Sequence, residues 1–327
     1  MFNLQPHISQ LTPAPPRDPA AETTPRVKLA AILGIKDRPV IPIAAQLLSR
    51  QDEGSYFEEK YSLDAGEGVQ IPLYLLIPKA EAPFAPILAF HGHGPGVGPI
   101  LGHYPDEAIA ARNLAADNNY AQALAEAGYL VCAIEQRGMG ERITDQLDDN
   151  AVPRSCRHLS FAYMMHGRTT LGERCWDAIC AINFLATRPD VDMSRLGCTG
   201  LSGGGTTALF LTALEERITA AVVAGYFCSY AESILGMAHC ECNYVPGVRE
   251  LGEMGAIGAL IVPRPLLLLN GEIDPIFPIT GSKAQYVTVA AAYAAAGQPD
   301  ACHLHIHPGG HAYALAPSLN WFKRWLG

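Results

Sequence analysis

The sequence predicts an α/β fold with a mostly parallel central sheet of about eight strands and helices on both faces. Short apolar runs at Ile87 to Phe90, Leu130 to Ile134, Leu196 to Leu201, Ile218 to Ala224, Leu266 to Leu269 and His303 to His307 have the length of strands. They alternate with amphipathic stretches such as Asp106 to Ala127, Gly172 to Ala186 and Ala284 to Ala296. Strand and helix taking turns implies parallel strands joined by crossovers that cover the sheet. With 327 residues, 49% hydrophobic and 17% charged, the chain has the composition of a packed protein with a sizeable core.

Residues 1–54 read as an N-terminal arm. Its segment Thr12 to Pro25 is rich in proline and alanine and suits an extended path, which leaves a homo-oligomer open if the arm packs on a neighbour. Residues 55–327 read as one domain. It opens on a hairpin, Ser55 to Asp64 and Val69 to Pro78, joined by Ala65-Gly66-Glu67-Gly68. Two segments interrupt the alternation, Ile143 to Thr170 and Phe227 to Ile261, and insertions at a sheet's carboxyl end are where such folds place substrate walls.

Composition excludes several partners. The net charge is -9 with no Lys/Arg cluster, so nucleic acid is not expected. The first residues lack a charged and apolar leader, and no apolar run is long enough for a bilayer, so a cytoplasmic protein without membrane association is expected. Nine scattered cysteines, an odd number, suit a reducing compartment. His239-Cys240-Glu241-Cys242 has a CxC spacing, but no second cysteine pair stands at zinc-site spacing. The sequence therefore reads it as a loop with buried thiols.

Cys198-Thr-Gly-Leu-Ser-Gly-Gly-Gly-Thr206 puts a serine between glycines where an apolar strand meets an amphipathic helix. Gly200-Leu201-Ser202-Gly203-Gly204 satisfies G-x-S-x-G, in which the positions two before and two after the serine need to lack Cβ for strand and helix to pass closely. The helix N-terminus offers free N–H groups where an oxyanion would form. A Gly-rich turn of this kind can also bind phosphate, but a Walker lysine and a GxGxxG are both missing. Ser202 is the expected nucleophile, with Gly200 and Gly204 shaping the elbow.

A serine needs a base, and the base needs a carboxylate to hold its tautomer. On sheets with such an elbow the chain order is Ser, acid, His. The run Leu266 to Leu269 ends in Asn270-Gly-Glu-Ile-Asp-Pro-Ile-Phe-Pro278, which offers Asp274 as the acid and Glu272 as the alternative. His303, His305 and His307 alternate with Leu304 and Ile306, so a strand puts all three on one face and leaves His311 in the loop beyond its end. His311 is the expected base; the other three read as packing residues and not as metal ligands. Phe90-His91-Gly92-His93-Gly94-Pro95-Gly96 follows an earlier strand, where one oxyanion donor is expected. The donors are then the backbone N–H groups of His93 and Gly203. The HxH spacing of His91 and His93 is tempting for a metal, yet the glycines suit a loop whose backbone approaches substrate.

The segments Phe90 to Gly94, Arg137 to Arg142, Thr170 to Gly205, Pro263 to Pro278 and Gly309 to His311 resemble, in order, the α/β-hydrolase superfamily. The similarity is to its bacterial branch of acetyl xylan esterase-like and dienelactone hydrolase-like proteins. The resemblance implies an eight-stranded, mostly parallel sheet and a Ser202-Asp274-His311 triad without cofactor; no metal is expected from the spacing of the histidines and cysteines. It also implies that Arg137 and Asp177 are structural and hold loops near the elbow. Dienelactone hydrolases look like Cys-nucleophile enzymes, so Ser202 points away from that activity. The expected function is hydrolysis of a small-molecule carboxylic ester with a small, acetyl-like acyl group, through an acyl-enzyme. A serine peptidase of the oligopeptidase-like type and a non-catalytic binding protein of the same fold are the alternatives. Aminoacyl-anilide turnover would indicate the first; absence of labelling by a fluorophosphonate would indicate the second.

Overall fold

Nine strands form one sheet in the computed structural model, which describes residues 2–8, 10, 11, 17, 21–39, 44–148 and 151–327. They are β1 (Ala45–Asp52), β2 (Tyr56–Asp64), β3 (Gln70–Pro78), β4 (Pro86–Phe90), β5 (Leu130–Ile134), β6 (Gly197–Leu201), β7 (Ala220–Ala224), β8 (Leu266–Gly271) and β9 (Cys302–His307). Their spatial order is β1-β2-β3-β5-β4-β6-β7-β8-β9. The pairings β1–β2, β2–β3 and β3–β5 are antiparallel and the rest are parallel. This is the mostly parallel sheet expected, with one strand more.

The extra strand lies inside the stretch read as an arm. Every residue of β1 is exposed, so its sequence AQLLSRQD carries no buried face and no apolar period to read. The proline-rich stretch from Thr12 falls largely outside the described residues. Pro25 itself opens a helix, where its fixed φ suits the first turn and Thr24 Oγ1 accepts the Val27 N–H at 3.3 Å.

Eleven helices lie among the described residues: α1 (Gln5–Ile8), α2 (Pro25–Ile32), α3 (Gly98–Leu101), α4 (Glu107–Ala115), α5 (Tyr120–Glu126), α6 (Cys156–Met165), α7 (Thr170–Leu185), α8 (Gly203–Leu214), α9 (Met254–Ala259), α10 (Ile279–Ala295) and α11 (Leu315–Leu326). The amphipathic stretch from Asp106 is two helices, not one. Asp117 takes a left-handed φ of 52° and its carboxylate accepts the Leu315 N–H, so the chain breaks there. Before the break α4 buries nothing; after it α5 buries Tyr120, Ala121, Leu124 and Ala125.

The parallel strands are buried on both faces. Leu88 and Phe90 enter one core with α7 and α8, while Ile87 and Ala89 enter the other with α5 and α11; Leu266 and Leu268 divide from Leu267 and Leu269 in the same way. Period two therefore distributes each run between two cores, and each leucine so buried contributes on the order of 2 kcal/mol. No helix among the described residues is long and apolar enough to cross a membrane.

A buried ion network pins the segment after β5 to α7. Arg137 donates from Nε and Nη2 to both oxygens of Asp177 at 2.9 and 2.7 Å, and Arg142 Nη1 donates to Asp177 Oδ2 at 2.5 Å. Arg137 Nη1 also pairs with Glu173 at 2.9 Å, and Arg38 pairs with Glu173 from the segment after α2. Burial alone would raise the Asp177 carboxyl, but the two guanidiniums outweigh it and push it down from 3.8 to about 2. Removing that carboxylate leaves buried Arg142 without its carboxylate partner and Arg137 with Glu173 alone. Asp177→Ala is expected to destabilise the chain by about 3–5 kcal/mol, measured by urea unfolding at neutral pH. Because the folded pKa lies below the unfolded one, this stabilisation is present above about pH 4 and is lost as pH falls through about 2. The decline of the urea midpoint over that window is expected to be shallower in Asp177→Asn.

Candidate active site

The sheet order places β4 between β5 and β6, so chain connections diverge on either side of β4 and open a crevice at the strands' carboxyl ends. At that edge β6 runs directly into α8 through Ser202, whose φ of 58° and ψ of −119° are strained for a residue with a Cβ. Its N–H donates to Ala224 O at 2.9 Å, which fixes the turn against β7. The glycines explain themselves in space. A Cβ on Gly204 would lie 1.8 Å from Phe90 O at the end of β4, and one on Gly200 would lie 2.4 Å from Gly204 C. Only with both bare does α8 start hard against β4 and leave Ser202 at the tip.

Asp274 stands in the loop after β8 and His311 in the loop after β9. The loops interlock: Glu272 N–H donates to His307 O at 2.8 Å, and Gly271 lies so close to Gly310 O that a Cβ would meet it at 2.0 Å. Asp274 Oδ2 accepts from His311 Nδ1 at 2.7 Å, and Oδ1 accepts the Ile276 and Phe277 N–H groups at 2.8 and 3.1 Å. Burial would raise this carboxyl, but the His311 hydrogen bond and charge together with those two N–H groups hold it below the usual carboxylate range. Glu272, the alternative acid, is exposed and has no hydrogen bond to His311. The His311 ring stacks on Phe277 at 5.7 Å between centroids and 21° between planes. Its Nε2 is left as the free nitrogen. Ser202 and His311 line one cleft of about 250 Å³. Among the described residues no hydrogen bond joins the serine hydroxyl to His311, a contact that in free enzymes is commonly loose until substrate is bound.

The loop after β4 wraps the elbow. A Cβ on Gly92 would lie 3.1 Å from Leu201 O and 3.3 Å from Ser202 Cβ. His91 is locked inside: its Nδ1 donates to Gly92 O at 2.8 Å and its Nε2 accepts the Gln136 N–H at 2.9 Å. His93 points elsewhere, with Cε1 and Nδ1 over Gly203 and Nε2 at 3.1 Å from Cys242 Sγ. The backbone N–H groups of His93 and Gly203 have no acceptor among the described residues; His93 lines the cleft, and Gly203 directly follows Ser202, which also lines it. Tyr120 donates its hydroxyl to Phe90 O at 2.6 Å and stacks on Tyr313 at 4.3 Å, holding the strand from which this loop departs.

The cleft's other walls are Pro95, Pro99, Ile100, Asn118, Leu201 and Ile276. Sequence reading missed them because α3 is a single turn with no period, and Asn118 sits at the unforeseen break between α4 and α5. Tyr226 and Phe227 are core residues, and Tyr230 with Met164 lines a separate pocket of about 180 Å³. His303, His305 and His307 share an edge strand; His303 and His305 face a surface groove beside Trp321 and Arg324, away from Ser202.

Residues 110–246 match the family model described as acetyl xylan esterase (AXE1), a span that includes the Ser202 elbow. Over 315 residues the chain is 26% identical to the protein YtaP of Bacillus subtilis (strain 168), covering 92% of this chain and 98% of that one. A glucuronoyl esterase from Solibacter usitatus superposes with a TM-score of 0.67 at 16% identity, over 97% of this chain and 98% of the other. An acetyl xylan esterase from Paenibacillus sp. R4 does so with a TM-score of 0.62 at 19% identity, over 98% and 99%. The chain thus has the α/β-hydrolase fold and is similar to acetyl xylan esterases.

The close passage at the elbow makes a mutational contrast. Gly204→Ala forces a Cβ into a backbone carbonyl and is expected to cost about 3 kcal/mol or more. Gly94→Ala, in the same cleft but with nothing within 4 Å of a Cβ, is expected to stay within about 0.5 kcal/mol. Thermal melts of the two purified variants check the difference.

Proposed function

We propose that this chain is a carboxylic ester hydrolase in which Ser202, His311 and Asp274 act as a triad and transfer a small acyl group to water. The supporting observation is the Asp274–His311 pair at 2.7 Å, whose free Nε2 shares one cleft with the strained Ser202. Ser202 Oγ attacks the ester carbonyl while His311 Nε2 takes its proton. The carbonyl oxygen becomes an oxyanion and accepts from the His93 and Gly203 N–H groups, which helix α8 supplements with its positive end. Collapse of the tetrahedral intermediate breaks the bond to the alcohol, and His311 returns the proton to that leaving oxygen. Water then repeats the sequence on the acyl-enzyme with the same base. Asp274, held ionised, keeps Nδ1 protonated and stabilises the imidazolium formed in each half-reaction.

A cleft of about 250 Å³ closed by Pro99, Ile100 and Ile276 suits a short acyl group. Nine free cysteines suit work in a reducing compartment.

Ser202→Ala is expected to lower kcat on p-nitrophenyl acetate by about 10⁴-fold or more with an unchanged far-UV circular dichroism spectrum. Asp274→Asn is expected to lose a comparable factor, and a fluorophosphonate should label Ser202 in the wild type alone. Turnover of Ser202→Ala within tenfold of wild type would sink the triad. On a series of p-nitrophenyl esters, kcat/KM is expected to fall by at least about tenfold from acetyl to octanoyl. A rise along the series would overturn the small-acyl reading.

A further inference from the structure

We propose that His93, Cys156, Cys240 and Cys242 form a closed tetrahedral site for one zinc-class divalent ion beside the loop that follows β4. One ligand atom from each of the four lies within 4.8 Å of every other. Two of the separations are short: His93 Nε2 to Cys242 Sγ at 3.1 Å and Cys242 Sγ to Cys240 Sγ at 3.3 Å. An ion with bonds of about 2.3 Å to sulfur and 2.0–2.1 Å to nitrogen sets tetrahedral edges of roughly 3.5–3.8 Å. Binding therefore needs only adjustments of a few tenths of an ångström at the short edges and at most about 1 Å at the longest.

The set is assembled from three separate parts of the chain, which is why CxC spacing alone did not reveal it. His93 comes from the loop after β4, Cys156 from the first position of α6, and Cys240 and Cys242 from the cap and the interior of the turn Glu241–Asn243. That turn is pinned independently of any ion. Glu241 accepts from Arg157 Nε at 2.7 Å, next to Cys156, and Asn243 Oδ1 accepts from Thr206 on α8 at 3.2 Å. Cys156 and Cys242 are buried while Cys240 is partly exposed, which gives an ion a way in.

Charge and surroundings favour an ion over other uses of these thiols. Arg174, buried, donates to Cys242 Sγ and to Cys156 Sγ at 3.4 Å each and to Arg137 O at 2.7 Å. Three thiolates, this guanidinium and one dication sum to zero, the neutral outcome a buried cluster needs. None of the three sulfurs lines the cleft that holds Ser202, so they are not placed as nucleophiles toward its substrate. Three thiolates and an imidazole with no open position describe a structural site, and they select zinc over hard cations. Held through Nε2, the His93 ring would stay over Gly203, whose ideal Cβ position is 2.7 Å from ring atoms. The ion would then steady the loop that carries the His93 N–H.

The test uses the full chain, expressed with zinc in the medium and purified without chelator, and its metal readout is independent of ester hydrolysis. Elemental analysis should find about one zinc per chain in the wild type and a loss of at least about fivefold in Cys240→Ser and Cys156→Ser. Cobalt(II) added to reduced, metal-stripped wild type should give thiolate-to-cobalt charge-transfer absorption and tetrahedral d–d bands, a result that needs no variant to fold. Reduced wild type that carries less than a tenth of an equivalent and gives no cobalt bands would overturn the site. So would a native mass showing two of the three cysteines joined as a disulfide. A chain that binds zinc but does not hydrolyse esters would sink the esterase mechanism and leave the metal site standing.

Discussion

The site depends on one close approach, the start of α8 against the carbonyl end of β4. Gly204 lies where a Cβ would meet Phe90 O at 1.8 Å, and that contact fixes three things together. It forces Ser202 into a positive φ, aims the helix's unpaired N–H groups at the crevice, and brings the loop after β4 to lie over the serine. A looser turn would relax Ser202 and move Gly203 away from His93. Strain at Ser202 and the close fit of the loop after β4 against the elbow are thus one geometric fact, offset by the burial of β4, β6 and α8 in two cores.

The surrounding segments are held by charge where they cannot be held by apolar packing. Arg137 and Arg142 lie in the turn after β5, next to the crevice, and both converge on Asp177 of α7. Arg137 also touches Glu173, one helical turn away, and its carbonyl accepts from Arg174. The same helix therefore anchors the turn after β5 through its carboxylates and reaches the thiol cluster through Arg174. Buried pairs of this kind add little net stability over an apolar replacement, but they tolerate only one arrangement of the loops they join.

What the sequence made legible followed period and order. The parallel strands and the hairpin were readable because burial on two faces gives dense apolar runs, and the tight strand-to-helix turn at Ser202 because its neighbours had to be glycine. The pairing of Asp274 with His311 was readable because parallel topology carries successive loops to one edge, so chain order becomes spatial order. What escaped lacked such a period. The exposed strand β1 has no buried face; α4 and α5 look continuous until Asp117 turns left-handed; α3 is too short to repeat. The wall residues Pro99, Ile100 and Asn118 belong to those same elements and were missed with them.

His91 and His93 show how far spacing misleads when tertiary context decides. HxH suggested two ligands for one ion, yet a glycine between them turns the rings apart. His91 becomes a buried hydrogen-bonding strut to Gly92 O and the Gln136 N–H, while His93 leaves the pair and meets three sulfurs from distant segments. His93 consequently has two parts with different surroundings: the residue lines the cleft, and its ring lies over Gly203 and reaches toward Cys242. A substitution there would disturb both at once, whereas a change at Cys156 or Cys240 reaches only the ring. Those cysteines, rather than the histidine, are where the influence of the thiol cluster on the loop can be separated from the chemistry proposed for Ser202.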